Sequence, residues 1–379
     1  MTENRLQRLH DAGQSIWLDF IERGMLHDGG LQRRIADDVL TGMTSNPTIF
    51  EKALAEGSAY DAQINDAEGD LSARQLFELI ATTDVRDACD AFASTYRDTK
   101  GGDGYVSIEV SPAAANDSAA TITEARRLWK TVDRPNVMIK VPGTVEGAKA
   151  VRQLISEGIN VNITLLFAIS AHARVIDAYM GGLEDRVAAG KPIDGIASVA
   201  SFFVSRVDTE VDKQLDALAQ QSRKAGSESG ALHGRAAVAN AKLAYALFQQ
   251  RFNAPRWSAL HAKGGRLQRP LWASTSTKNP AYRDVLYVEE LIGPDTVNTM
   301  PPNTIEAFRD HGNVKRTVDA ELDRARAEIA AVEKAGVSME QVTEKLLVDG
   351  LASFQKSFNS LIAGLAKKSQ QLGRQLVAG

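Results

Sequence analysis

Two observations predict an α/β fold, and in particular a closed (β/α)8 TIM barrel with additional helices. Short apolar runs recur eight times along the 379 residues, and segments with helical periodicity lie between them. Because most of the runs lack strict polar alternation, they are typical of strands buried on both faces. Strand, helix and strand in succession imply parallel pairing with right-handed crossovers, and eight such units favour a closed barrel over an open doubly wound sheet.

The predicted strands are rich in Val, Ile and Leu, as expected of parallel strands in a barrel wall. They are Ser15 to Leu18, Val39 to Met43, Tyr105 to Val110, Val137 to Val141, Ile159 to Ile163, Ile196 to Phe202, Pro270 to Ala273 and Val297 to Met300.

Four segments between these strands place apolar residues three and four positions apart, which predicts helices. They are Leu71 to Thr95, Thr123 to Lys130, Val145 to Ser156 and Ser170 to Val187. Thr144 and Ser170 are predicted to cap the last two of them, because their hydroxyls accept well from free helical N–H groups.

Three further segments are predicted to be additional helices that pack on the barrel, so that residues 1–379 form a single domain. The first is an N-terminal helix in residues 1–13, and the second is a set of two or three helices in residues 203–262. The third is a helical region from Asp319 onward, predicted to break near Asp349-Gly350 and again at Gly364.

Composition narrows the classes of function. The chain has 44 Lys and Arg against 48 Asp and Glu, and no block of basic residues, which argues against nucleic acid or an anionic membrane as a partner. The one cysteine, Cys89, allows no intramolecular disulfide and fits a reducing compartment. No run has signal-peptide character or the length of a membrane span, so we expect a cytoplasmic protein, either a monomer or a homodimer.

Catalytic residues of such barrels lie at the C-terminal ends of the strands, and Lys140 is the most informative residue there. Ile139 and Val141 flank it, so its amine should lose hydration and favour the uncharged, nucleophilic form. The alternative is a lysine whose head group reaches solvent from the strand end, which is the commoner situation.

Asp19 and Glu109 place two carboxylates at the same predicted rim. Carboxylates of this kind could move the protons that carbonyl–amine chemistry requires. The alternative is that each one caps a helix or forms an ion pair with Lys140. Glu109 favours the functional interpretation, because acids are depleted inside strands and this one lies opposite a strand lysine.

Amide and hydroxyl side chains form a second group of candidates. Asn162 and Thr164 share one face of the fifth strand by its two-residue period, and Asn46 follows the second strand. Each of them is also compatible with turn formation or with satisfying buried backbone groups.

Arg206, Ser274, Ser276 and Lys278 are candidates for a phosphate site. Barrels of this class often bind phosphate with the loops after strands seven and eight, and an arginine adds a bidentate contact. A Ser/Thr run is also typical of an ordinary capped turn.

No metal or organic cofactor is predicted. The sequence has neither a P-loop nor a His-Glu-x-x-His motif, and its six histidines lack metal-ligand spacing. Cys89 lies within a predicted helix and is interpreted as a packing residue.

Taken in order on successive strand ends, these motifs resemble the transaldolase family, and their wording resembles its longer bacterial branch. The matching stretches are Thr44-Ser45-Asn46-Pro47, Ser107-Ile108-Glu109-Val110, Val137-Met138-Ile139-Lys140, Asn162-Ile163-Thr164-Leu165-Leu166-Phe167, Ser201-Phe202-Phe203-Val204-Ser205-Arg206 and Ala273-Ser274-Thr275.

The resemblance implies a transferase that moves dihydroxyacetone from sedoheptulose 7-phosphate to glyceraldehyde 3-phosphate in the non-oxidative pentose phosphate pathway, without a cofactor. Lys140 matches the Schiff-base lysine, and Asp19 the group that handles the C4 hydroxyl proton. Glu109 and Thr164 match the pair that holds the catalytic water. The remaining matches are ligands of the dihydroxyacetone part, the wall of the site and the main phosphate ligand, namely Asn46 with Asn162, Ser201 with Phe203, and Arg206.

Two departures from the family pattern bear on this assignment. The glutamate of the third strand is followed by Val110-Ser111, where some members have Val-Asp. Many members also carry an arginine where this chain has Ser276, so Lys278 or the loop backbone is predicted to take over phosphate binding. The alternative functions are an aldolase that cleaves fructose 6-phosphate, with nearly the same residues, and a barrel that binds sugar phosphate without catalysis.

Overall fold

The computed structural model of the chain describes residues 4–55, 57–221 and 232–377. Eight parallel strands follow one another around a closed barrel in the order of the sequence, and the last pairs with the first. This confirms the predicted (β/α)8 barrel. The strands are β1 (Gln14–Asp19), β2 (Leu40–Thr44), β3 (Tyr105–Glu109), β4 (Val137–Pro142), β5 (Val161–Leu166), β6 (Ser198–Phe203), β7 (Gln268–Ala273) and β8 (Thr296–Met300).

All eight predicted strands are confirmed to within three residues at either end. The differences have local causes. β2 begins at Leu40 because Val39 has φ +56°, outside the extended region. β5 begins at Val161, two residues later than predicted, because the Asn160 side chain replaces strand pairing there. Its amide donates to the carbonyls of Pro135 and Val137.

Helices surround the barrel and fill the connections. In chain order they are α1 (Arg5–Asp11), α2 (Arg23–His27), α3 (Gly30–Asp37), α4 (Pro47–Ala55), α5 (Asp61–Asp66), α6 (Ala73–Ala91), α7 (Ala93–Asp98), α8 (Ser118–Val132), α9 (Val145–Glu157), α10 (Ile169–Ala188), α11 (Ser205–Gln221), α12 (Ala236–Phe252), α13 (Pro255–His261), α14 (Leu286–Glu289), α15 (Pro302–His311), α16 (Leu322–Lys334) and α17 (Met339–Gln371).

The four helices predicted between strands are confirmed as α6, α8, α9 and α10, with α6 ending at Ala91 and a short α7 following it. Thr144 caps α9 as predicted, since its hydroxyl accepts from Gly147 N. The predicted cap at Ser170 is wrong. Helix α10 already begins at Ile169, after an extended Ala168, and Ser170 lies in its first turn.

The additional helices are also present. The N-terminal helix is α1, and α11, α12 and α13 occupy the connection between β6 and β7. The predicted breaks near Asp349-Gly350 and at Gly364 are wrong, because α17 runs unbroken for 33 residues, a length of about 50 Å. The break in this region lies between α16 and α17. Ser338 caps α17 by accepting from Gln341 N.

Large side chains fill the barrel wall and fix how its strands align. Trp17 of β1 is fully buried against Gly42 of β2, where an added Cβ would lie 2.5 Å from the indole ring. The β1–β2 register shifts at this point and resumes with Asp19 opposite Thr44. The requirement for glycine at position 42 therefore helps to place an acid at the C-terminal rim of the barrel.

None of the described helices is long and apolar enough to cross a lipid bilayer.

Candidate active site

The C-terminal ends of the strands surround a cavity of about 610 Å³. Ten of the twelve residues singled out from the sequence line it, namely Asp19, Asn46, Lys140, Thr164, Ser201, Phe203, Arg206, Ser274, Ser276 and Lys278. Glu109 and Asn162 do not line this cavity but lie beside Lys140 in the barrel. The predicted site residues therefore come together at one place, although they are spread over 260 positions of sequence.

Lys140 is buried at the centre of this group, with 5% of its surface exposed. Its Nζ donates to the backbone carbonyl of Ser45 at 3.1 Å and lies 3.5 Å from Glu109 Oε2. Backbone pairing sets Glu109, Lys140 and Asn162 side by side on β3, β4 and β5. The alternative in which the lysine head group reaches solvent is excluded, whereas the ion-pair alternative and the nucleophile both remain compatible with this geometry.

The Glu109 carboxylate has no hydrogen-bond partner for either oxygen among the described residues. Burial raises the pKa of Glu109 to about 7, against the opposing effect of Lys140, and the nearby Asp19 raises it further. Near neutral pH the protonated and ionised forms are therefore both populated. That is the property required of a group that both donates and accepts protons.

Asp19 lies at the end of β1, half-buried, and its Oδ1 accepts a hydrogen bond from Thr44 Oγ1 at 2.8 Å. The Thr44 hydroxyl also lies 2.7 Å from the Thr299 hydroxyl on β8. Burial raises the pKa of Asp19, and the positive charge of Lys140 counteracts this effect. Asp19 is therefore held in a fixed orientation with a second lone-pair-bearing oxygen left for a substrate proton.

Thr164 and Asn162 occupy the same face of β5, as their spacing predicted. The Thr164 hydroxyl is buried and has no partner among the described residues. Directly after it, Leu165 has φ +59° and the β5–β6 register shifts. Backbone of this kind is strained and is often found at functional sites. The Asn162 side chain instead donates to Ser107 Oγ at 3.0 Å and accepts from Ser201 Oγ at 2.6 Å.

Two positively charged side chains, Arg206 and Lys278, also line the cavity. The Arg206 guanidinium, at the start of α11, lies over the Phe203 ring at 5.3 Å. Lys278 Nζ donates to Ser276 Oγ at 2.7 Å. Burial lowers the pKa of Lys278, and the charge of Arg206 lowers it further. Neither cation forms an ion pair with an acid among the described residues, and two such cations together can bind an anion.

Ser274 lines the cavity and directly follows β7. It has φ +55°, and its hydroxyl lies 2.9 Å from Ser205 Oγ. Asn46, at the far side of the cavity, accepts through Oδ1 from Ile49 N and thereby begins α4.

Twelve described residues that line the cavity were not singled out as site residues, namely Phe20, Thr44, Thr48, Ile49, Lys52, Ala273, Thr299, Pro301, Pro302, Asn303, Ser353 and Phe354. Lys52 comes from α4, and Ser353 and Phe354 come from α17, near the end of the chain. Nothing in the local sequence of Lys52, Ser353 and Phe354 distinguishes them from other exposed or packed helical residues. Lys52 reaches the cavity on the helix that follows β2, and Ser353 and Phe354 reach it because α17 packs on α4. Among the described residues there is no cluster of three or more His, Cys, Asp or Glu that could hold a metal ion.

Comparison with known proteins relates the chain to one family. A family model described as transaldolase/fructose-6-phosphate aldolase matches residues 16–365. A transaldolase of Thermobifida fusca is 49% identical over 96% of this chain and 98% of its own length. A transaldolase of Trichodesmium erythraeum is 46% identical over 98% of this chain and 99% of its own, and "Transaldolase 1" of Streptomyces coelicolor is 46% identical over 98% and 97%.

Proposed function

The chain belongs to the transaldolase/fructose-6-phosphate aldolase family, and from this premise we propose that it is a transaldolase acting on sugar phosphates. The observation that carries the proposal is a buried lysine amine, Lys140, with a carboxylate of raised pKa 3.5 Å away. Both lie at a cavity that is also lined by cations without an ion pair in the described part of the chain. The donor is sedoheptulose 7-phosphate and the acceptor is glyceraldehyde 3-phosphate.

The first step joins substrate and enzyme. The uncharged Lys140 amine attacks the C2 ketone of the donor to form a carbinolamine, which then loses water to become an imine. Glu109 and Thr164 support this step, because their buried and unpaired oxygens provide a place for one water molecule next to the amine. Glu109 gives a proton to the departing hydroxyl and recovers it when the imine is hydrolysed.

The second step breaks and forms carbon–carbon bonds. Asp19 removes the proton of the C4 hydroxyl, the C3–C4 bond breaks, and its electron pair moves into the imine to give an enamine. Erythrose 4-phosphate departs as the aldehyde. The enamine carbon then attacks the aldehyde of glyceraldehyde 3-phosphate, Asp19 returns its proton to the new hydroxyl, and hydrolysis of the imine releases fructose 6-phosphate. The protonated imine nitrogen accepts the electron pair when the first bond breaks, and the enamine gives the pair back when the new bond forms.

Binding of the dihydroxyacetone part is assigned to Asn46 and to the Asn162–Ser201 pair, with Phe203 as a wall. Arg206, Lys278, Ser274 and Ser276 bind the phosphate. This assignment is supported by their shared cavity and by the positive charge on one side of it.

The decisive experiment traps the imine. Borohydride added with fructose 6-phosphate should leave one reduced three-carbon unit per chain by intact mass, and peptide mapping should place it on Lys140. The Lys140→Met variant should give no adduct, and the Lys149→Met variant, which changes an exposed lysine of α9, should react as the unaltered protein does. Absence of any adduct would exclude the proposal and favour a barrel that only binds sugar phosphate.

The family also contains fructose-6-phosphate aldolases, so the fate of the enamine must be tested separately. A coupled assay with fructose 6-phosphate should release glyceraldehyde 3-phosphate rapidly only when erythrose 4-phosphate is present as acceptor. Equal rates with and without the acceptor would identify an aldolase instead.

A further inference from the structure

We propose that Lys52 of α4 is a third phosphate-binding cation, which supplies the positive charge that an arginine at position 276 provides in many members of the family. This inference rests on the proposed function, since it concerns the phosphate of the same sugar substrates. It was not apparent from the sequence, because Lys52 follows a different strand from every other residue of the phosphate site.

The fold brings Lys52 to the cavity on a helix that follows β2, whereas Arg206 lies on the helix that follows β6. Helix α4 begins at Pro47, directly after β2, and its residues Thr48, Ile49 and Lys52 all line the cavity. Positions 48 and 52 lie on one helix face, one turn apart. Thr48 Oγ1 donates to Ser357 Oγ on α17 at 2.9 Å, which fixes the helix that carries Lys52.

The balance of charge in the cavity calls for a doubly charged anion. Lys52, Arg206 and Lys278 form no ion pair within the part of the chain that the structure describes, and Asp19 is the only acid among the described lining residues. With Lys140 uncharged for its attack, the cations exceed the acid by two charges. A phosphate monoester carries close to two negative charges at neutral pH.

Arg206 and Lys278 alone would bind a phosphate weakly, because residue 276 is a serine and contributes no positive charge. The Ser276 hydroxyl there accepts a hydrogen bond from Lys278 and so orients that lysine, but it adds no charge. Among the described residues, Arg206 and Lys278 are the cations after β6 and β7 that line the cavity. The positive charge of Lys52 is close enough to affect Lys278, so the two lysines belong to one cluster. Repulsion within this cluster is relieved when a dianion lies between them.

Kinetics with matched acceptors test the assignment. With fructose 6-phosphate as donor, Lys52→Gln should raise the KM for erythrose 4-phosphate about tenfold, as expected for one exposed charged hydrogen bond. The KM for unphosphorylated erythrose and the value of kcat should stay within about twofold of the unaltered protein. Lys52→Arg should restore most of the lost affinity, and Lys149→Gln, on α9 outside the cavity, should have no effect.

A binding measurement separates this proposal from the proposed function. Inorganic phosphate, titrated by calorimetry into the full chain, should bind about tenfold more weakly to Lys52→Gln. If phosphate binds equally to both proteins, or if KM rises equally for erythrose and its phosphate, Lys52 is not a phosphate ligand, whatever the borohydride experiment shows. If imine trapping fails while phosphate binding still depends on Lys52, the transaldolase assignment is wrong and the anion site stands.

Discussion

The two ends of strand β3 carry buried carboxylates in opposite circumstances. At the N-terminal end of the barrel, Asp103 accepts hydrogen bonds from the Ser15 hydroxyl and from Trp17 Nε1, the latter at 2.8 Å, and lies 3.5 Å from Arg269 Nη2. At the C-terminal end, neither oxygen of Glu109 has a hydrogen-bond partner among the described residues. Asp103 lies two residues before β3 and Glu109 is the last residue of that strand.

The difference shows which end is built for stability and which for a ligand. Leaving a buried polar group unpaired costs about 1–3 kcal/mol, so such groups are rare unless something else completes them. At the closed end the protein itself supplies the partners of Asp103. At the open end the oxygens of Glu109 and Thr164 have no hydrogen-bond partner among the described residues, and the three cations have no ion pair there. Under the proposed function a water molecule and a sugar phosphate supply these missing partners.

The largest effect should come from removing the nucleophile at the open end. Lys140→Met should lower kcat on the order of 10⁴-fold or more, because the variant lacks the amine on which the proposed imine forms. The free energy of unfolding should not fall, since the amine contributes one hydrogen bond to Ser45 and its burial is itself costly. Steady-state assays and urea unfolding measure the two quantities. Retained activity would remove the basis for the proposed chemistry.

The closed end should respond in the reverse way. Asp103→Ala should lower the free energy of unfolding by about 3–4 kcal/mol, because it leaves the Trp17 N–H and the mostly buried Arg269 without their partner. The folded variant should keep its KM values, since Asp103 lies at the opposite end from the cavity. Urea unfolding and assays below the transition test this. A large change in KM with an unchanged free energy of unfolding would mean that Asp103 serves ligand binding and not stability.

Glu109→Gln should stabilise the protein, by up to about 3 kcal/mol at pH 8. An unfolded glutamate releases its proton near pH 4.5, and folded Glu109 does so at about 7, so the folded state binds the proton more tightly. Stability is therefore lost as the pH rises from about 4.5 to 7 and stays lower above that. The variant avoids this loss, and its advantage should disappear at pH 4.

Urea unfolding of both proteins at pH 4 and pH 8 measures this dependence on pH. The same substitution should remove any inflection near pH 7 from the profile of kcat/KM, because that inflection belongs to Glu109. A variant less stable than the unaltered protein at pH 8 would show that the carboxylate is satisfied after all.

Sequence patterns predicted most of the barrel because burial on both faces leaves a continuous apolar run in each strand. The strand-end positions of Asp19, Glu109 and Lys140 followed from the same pattern, since a polar side chain is conspicuous in an apolar strand. Ser276 and Lys278 were found through the resemblance and the expected loop. Roles in catalysis were not derivable from pattern alone and stay predictions.

The residues that were missed lie where distant helices meet. Ser353 and Phe354 reach the cavity because α17 packs on α4, the helix of Lys52, and that contact joins segments about 300 positions apart. The predicted cap at Ser170 was wrong because several residues near the start of a helix can act as its N-cap. Helix α10 begins at Ile169, one residue before Ser170. The predicted breaks in α17 were wrong because the helix continues through both of its glycines, Gly350 and Gly364. The surroundings of these two glycines differ.

Gly350 and Gly364 both lie inside α17, but only Gly350 faces the open end of the barrel. An added Cβ at Gly350 would lie 3.0 Å from Leu165 Cδ2 and 3.8 Å from Arg206 Nη1, whereas at Gly364 it would meet nothing within 4 Å. Glycine therefore permits close packing over the site at the first position and merely weakens the helix at the second.

Gly364→Ala should accordingly raise the free energy of unfolding by about 1 kcal/mol, the usual gain in an exposed helix interior, without changing any kinetic constant. Gly350→Ala is the matched control. It has the same gain in helix propensity, but its methyl group must displace Leu165, the residue of positive φ that follows Thr164. Its net gain should be smaller or negative, and kcat should fall. Equal stabilisation by both substitutions, measured by urea unfolding, would mean that α17 does not press on the open end and that its glycines are equivalent.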